Sequence, residues 1–242
     1  RWYGLLFALG FLIGLFIVQA MFKAENAPEK WLDQAFIYVV VGAVVGARLG
    51  HVFFYDWPYY SEHLDEIVRI WEGGLASHGG AIGIILALWI YSRVVTKKSI
   101  LWILDKVVVP TALAGSFIRL GNLMNSEILG KPADVPWAFV FQRVDQVPRH
   151  PVQLYESFSY LIIFFILYGV YWKTNMRNKP GFLFGLFLVL IFGVRIIMEQ
   201  FKVSQGGFES AFNNALTTGQ LLSIPFVLIG LFFVLRPNPA SK

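Results

Sequence analysis

Three arginines stand in parts of this sequence that are otherwise apolar: Arg48, Arg119 and Arg195. A charge at the centre of a membrane span costs about 2.5–3.5 kcal/mol on insertion scales, so each needs a reason to be there. A guanidinium offers a planar fork that fits phosphate, and it does not lose its charge. His51, Asn122, Asn125 and Glu199 lie at similar depth in their stretches. One long side chain can snorkel to the interface. Several on different helices at one depth point instead to a polar cavity opening toward the outer leaflet. Spacing sharpens the set. Arg119, Asn122 and Asn125 are each three apart, so one helix face carries all three, and Glu127 and Gly130 follow, Gly130 suiting a helix stop. Arg195 and Glu199 are four apart and can form an ion pair. Arginines at that depth are placed to hold a phospholipid head group, and asparagines there can bond glycerol hydroxyls or ester carbonyls.

Two further segments could take part. His78 lies in Ala76-Ser77-His78-Gly79-Gly80, where a loop enters the third span. The glycines allow close approach of a ligand, and a histidine can take a proton near neutral pH. An interfacial histidine with no chemistry would read the same way. His150, Pro151, Gln153, Tyr155 and Glu156 open the fifth span, with Glu156 available to pair with an arginine across the bundle. No metal site is expected: cysteine is absent, no His-Glu-x-x-His occurs, and no two histidines are four apart. A P-loop and a Gly-x-Ser-Gly are also missing.

The elements that must position these residues follow from composition. Of 242 residues, 57% are hydrophobic and 14% charged, against about 25% charged in soluble domains. Mean hydropathy is +0.61. These values exclude a disordered chain and argue against a soluble enzyme. The net charge of +5 comes from scattered residues rather than a basic stripe, which excludes a nucleic-acid binder. The expected class is an all-α polytopic membrane protein with seven transmembrane helices. The spans run over residues 3–22, 34–55, 79–91, 106–124, 153–172, 181–201 and 217–235. Lys23, Lys30, Arg93, Lys97, Lys98, Lys173, Arg177 and Lys179 fall on alternate loops, whereas residues 56–77 carry one arginine and five acids. That alternation puts the N-terminus outside and the C-terminus inside. No initiating methionine precedes Arg1, so further residues are expected there. The whole chain, 1–242, reads as one membrane domain, with small irregular outer-face segments at about 56–78, 131–150 and 202–216. Within the second of these, residues 137–142 suit a short strand. No internal repeat is visible.

Arg119-Leu-Gly-Asn-Leu-Met-Asn-Ser-Glu-Ile-Leu-Gly130 resembles the signature of the bacterial phosphatidylglycerol–prolipoprotein diacylglyceryl transferase family. Trp2-Tyr3-Gly4, Gly46-Ala-Arg48-Leu-Gly50, Ser77-His78-Gly79-Gly80, Arg149-His150-Pro151-Val-Gln153-Leu-Tyr155-Glu156, Arg195-Ile-Ile-Met-Glu199 and Gly219-Gln220-Leu-Leu-Ser223 are similar to its other motifs, in its order. Ile118 stands where the family usually has Gly, Leu123 where it has Phe, and Lys202 where Arg is expected. The resemblance implies transfer of diacylglyceryl from phosphatidylglycerol to the lipobox cysteine of a prolipoprotein signal peptide, forming a thioether and releasing glycerol phosphate. It implies a bacterial cytoplasmic (inner) membrane enzyme whose site faces the outer leaflet among membrane lipids, with no cofactor and no metal. His78, Arg119 and Arg195 are the implied catalytic residues. Arg119, Asn122, Asn125, Glu127, Gly130, Tyr3, Arg48, His150, Gln153, Glu156 and Glu199 are the implied substrate-binding ones. A lipid transporter or flippase with a polar head-group pathway is the alternative, and it requires a polar track through to the inner side.

Overall fold

The computed structural model describes residues 2–203 and 216–237. It is all-helical apart from one small hairpin. The helices are α1 (Trp2–Ala24), α2 (Glu29–Phe54), α3 (Trp57–Tyr60), α4 (Ser77–Tyr91), α5 (Ile100–Asn125), α6 (Val152–Lys173), α7 (Phe182–Met198) and α8 (Thr218–Leu235). Seven of the described helices are long and apolar enough to cross a membrane, all but the four-residue α3. The third span is longer than residues 79–91, because α4 starts at Ser77 and continues as a π turn over Ser92–Thr96. Contacts divide the chain into two compact units, Arg1–Val18 with Leu104–Lys242, and Gln19–Ile103.

In the Gln19–Ile103 unit, α2 packs on α4 through glycines. A Cβ on Gly46 would lie 2.7 Å from Gly83 Cα, and one on Gly42 would lie 2.6 Å from Ala87 Cβ. Without a hydrophobic force between helices in lipid, such small residues let backbones touch and gain dispersion contact. The segment after α2, expected to be irregular, forms α3 and two 3₁₀ turns, Leu64–Val68 and Ile70–Glu72.

In the other unit, Gly185 of α7 meets Gly230 of α8 in the same way, a Cβ on either standing 2.7 Å from the other's carbonyl oxygen. The first turn of α7 is capped from α5: Asp105 accepts from the Gly181 N–H at 2.6 Å and the Phe184 N–H at 2.8 Å. Those are two of the donors that a helix start leaves unpaired. A capping box of Thr217 and Gln220 starts α8.

Gly130 does not stop a helix. The helix ends at Asn125, and the chain leaves it through Ser126 (φ 57°) and Ile128 (φ 56°), both left-handed. Gly130 is needed for a different reason: it bridges Lys202, and a Cβ there would run into the His150 carbonyl. The strand expected within 137–142 is present as β1 (Phe139–Val140), antiparallel to β2 (Pro148–Arg149). Of the expected segment 202–216, residues 204–215 lie outside the described residues.

Candidate active site

The polar residues of the larger unit gather where three chain segments meet: the end of α5, the start of α6 and the end of α7. From α5 come Arg119, Asn122 and Asn125, which share one face as their spacing requires. Arg119 Nη1 donates to Asn122 Oδ1 at 3.3 Å. Glu127, returned over the helix end by the turn at Ser126, accepts from Asn122 Nδ2 at 2.7 Å and from Asn125 Nδ2 at 3.1 Å. Tyr3 packs against the same helix, and a Cβ on Gly121 would lie 2.6 Å from its ring.

From α6 come Gln153 and Glu156, three apart and both with no exposed surface. Gln153 Nε2 donates to the Glu127 carbonyl at 2.6 Å, while its Oε1 is buried without a hydrogen-bond partner. Glu156 is the anion of the cluster. Its Oε2 lies 2.9 Å from Arg119 Nε, and its Oε1 accepts from Lys202 Nζ at 2.8 Å. A buried charge left alone is costly, so this pairing on both sides is what permits a carboxylate in that position.

From the end of α7 come Arg195, Glu199 and Lys202. The expected Arg195–Glu199 pair is absent among the described residues. Glu199 instead accepts from Lys202 at 3.1 Å and from the Thr217 hydroxyl at 3.4 Å. The reason is local winding. The α-helix ends at Met198 and continues as a 3₁₀ turn over Glu199–Phe201. Side chains three apart eclipse in such a turn, which turns Glu199 toward Lys202. Arg119 and Lys202 are balanced by Glu156 and Glu199. Arg195 is half-buried and has no hydrogen bond or ion pair among the described residues. Tyr160, one turn beyond Glu156 and buried, is within electrostatic reach of both Arg119 and Arg195.

His150 borders this cluster. Trp137 Nε1 donates to the Tyr155 hydroxyl at 2.7 Å, and that hydroxyl lies 3.1 Å from His150 Nδ1. An indole N–H can only donate, so the tyrosine O–H stays available to Nδ1. In the hairpin outside the spans, Arg149 beside Asp145 holds that carboxyl below its usual range.

The other unit holds the remaining candidates. Arg48 is 3% exposed. Its Nε donates to the Ile67 carbonyl at 2.7 Å, its Nη2 to Glu66 at 2.6 Å and its Nη1 to Gly73 at 2.7 Å. This guanidinium therefore organises the segment after α2, with Tyr60 against its face at 5.0 Å. His51 and Arg48 press on Gly74, whose φ of +67° and lack of side chain the packing requires. His78 is exposed in the first turn of α4. No group of three or more metal-ligating side chains occurs among the described residues.

The sequence left Lys202, noted only as standing where Arg is expected, and Tyr160 out of the candidate site residues. Lys202 follows Glu199 by three residues, which was a usable signal. Tyr160 follows Glu156 by four, but an aromatic at that spacing is indistinguishable from core.

An arginine and a lysine thus share a fully buried glutamate, beside two asparagines that end on one acid. The family profile described as prolipoprotein diacylglyceryl transferase matches residues 1–236. The chain belongs to that family. A phosphatidylglycerol–prolipoprotein diacylglyceryl transferase of Tolumonas auensis is 49% identical over 235 residues, covering 97% of this chain and 90% of the relative. One of Chloroherpeton thalassium is 48% identical, covering 98% and 87%. One of Porphyromonas gingivalis is 49% identical, covering 100% and 90%. Identity at this level across all seven spans makes the diacylglyceryl transferase fold the frame in which the cluster is read.

Proposed function

We propose that this chain transfers the diacylglyceryl group of phosphatidylglycerol to the lipobox cysteine thiol of a prolipoprotein, the first step of lipoprotein maturation. The observation that carries the mechanism is the cluster on Glu156, where Arg119 is fixed at one edge of its fork and keeps further donors for an anion. The thiolate sulfur attacks the glyceryl carbon that bears the phosphate. A carbon–sulfur bond forms, the carbon–oxygen bond to phosphate breaks, and glycerol phosphate leaves with the electron pair. Arg119 and Arg195 neutralise the charge that develops on the leaving phosphate, and Arg195 suits this because no carboxylate among the described residues holds it. The family resemblance gives His78 as the base for the thiol proton. Asn122, Asn125, Glu127 and Tyr3 orient the head group, and His150, Gln153, Gly130 and Glu199 hold the walls of the cluster. Arg48 fixes the segment after α2. Holding thiol and carbon in line matters as much as any base. The site faces the outer leaflet of the bacterial cytoplasmic membrane, with the N-terminus outside, as the distribution of lysine and arginine supports.

The test is reconstitution of the full chain with phosphatidylglycerol and a lipobox peptide, following glycerol phosphate release. Arg119→Ala and Arg195→Ala are expected to abolish transfer, and full activity in both would reject the mechanism. His78→Gln is expected to lower the rate and flatten its pH profile. Wild-type rate in that variant would reject only the base assignment.

A further inference from the structure

The amides of Asn122 and Asn125 both end on one carboxylate, and this fixes which way they point. An ionised carboxylate only accepts, so each amide turns its nitrogen to Glu127. The oxygens then face away from it. Asn122 Oδ1 is occupied by Arg119 Nη1. Asn125 is exposed, and its Oδ1 has no donor among the described residues.

The arrangement is held against local preference. Ser126 and Ile128, on either side of Glu127, both have left-handed backbones. That region is uncommon for any residue but glycine and an outlier for a β-branched one. Further bonds hold the turn besides the two amides' own. Glu127 N–H donates to the Asn122 carbonyl at 2.9 Å, Gln153 Nε2 donates to the Glu127 carbonyl at 2.6 Å, and Val203 N–H donates to the Leu129 carbonyl at 3.1 Å. Strain kept in place this way is a mark of a site whose geometry matters.

The geometry points to Asn125 as a specificity-determining residue that accepts a hydrogen bond from a head-group hydroxyl. The site thereby selects a lipid whose phosphate carries an alcohol donor over one that carries none. This rests on the proposed transfer and narrows it. An asparagine read from sequence can serve hydroxyls or ester carbonyls, and the Glu127 contact leaves the acceptor turned outward. The glycerol head group of phosphatidylglycerol supplies such donors beside the phosphate.

The experiment reconstitutes the full chain with a lipobox peptide and compares two lipids of identical acyl chains, phosphatidylglycerol and phosphatidylpropanol, whose head group has no hydroxyl. One hydrogen bond at a half-open site corresponds to about a fivefold to tenfold preference in kcat/KM for phosphatidylglycerol. Asn125→Ala is expected to slow phosphatidylglycerol more than phosphatidylpropanol by that factor and so bring the ratio near one. Asn125→Ser, which keeps an acceptor, is expected to restore part of it. Equal slowing of both lipids would show that Asn125 acts only by steadying Glu127, and no preference in the wild type would have the same force; both overturn the inference while leaving transfer intact. Failure of the wild type to release any phosphate product from either lipid would sink the transfer reading itself.

Discussion

Arg48 and Arg119 are guanidinium groups in apolar helices of different units, yet their partners differ in kind. Arg48 gives its donors to four main-chain carbonyls of the segment that follows its own helix. Arg119 sets Nε 2.9 Å from a side-chain carboxylate as an ion pair and donates Nη1 to a side-chain amide. Carbonyls of a loop are satisfied only while the loop keeps its shape, so Arg48 is committed to structure. A carboxylate shared with Lys202 neutralises Arg119 in part and leaves it able to meet another anion. The same residue type in the same setting is thus spent in one region and held in reserve in the other.

The sharpest way to break this contrast is to keep each charge and remove each fork. Arg119→Lys retains a cation for Glu156 but loses planar donors, so transfer is expected to fall by at least about 10²-fold in the glycerol phosphate assay. Arg48→Lys is expected to cost far less in that assay. Comparable losses would erase the distinction. Next in size is Glu156→Gln, which takes the carboxylate from Arg119 and leaves Lys202 to Glu199 alone; it should destabilise by about 3 kcal/mol, the low end for a broken buried pair, measured by thermal unfolding in detergent. Arg48→Gln is expected to cost about 1–3 kcal/mol locally. Hydrogen exchange should quicken over residues 64–74 and stay unchanged near Asn125. Faster exchange at Asn125 instead would show that Arg48 supports the cluster directly.

The smallest effect is a control at the half-buried Asp145–Arg149 salt bridge of the hairpin. Asp145 is held below its unfolded pKa by Arg149. Its pairing therefore stabilises the β1–β2 hairpin above the unfolded carboxylate value of about 3.9 and is lost as pH falls through the lower folded one. Amide exchange in residues 139–149 of the wild type should approach that of Asp145→Asn only in strong acid. Convergence near neutral pH would contradict the shift.

Much of this was legible in the residues. Apolar stretches of span length gave all seven helices, because lipid leaves a backbone few other ways to satisfy its polar groups. The three-residue spacing of Arg119, Asn122 and Asn125 gave their common face, and the strand near Phe139 was foreseen. Other features were not legible. Gly130 looked like a helix stop, but two left-handed non-glycine residues end the helix before it. Arg195 and Glu199 looked like partners, but a change of helical winding separated them.

The sequence alone determined which residues share a helix face and which stretches lie in the membrane, since both follow from a fixed rise and rotation per residue and from hydropathy. Only the tertiary structure decided how the charges are shared: that Glu156 takes both Arg119 and Lys202, that Glu199 turns to Lys202, and that Arg48 closes on carbonyls up to 26 residues away. Those choices depend on which helix ends converge, and convergence is set by packing between segments far apart along the chain.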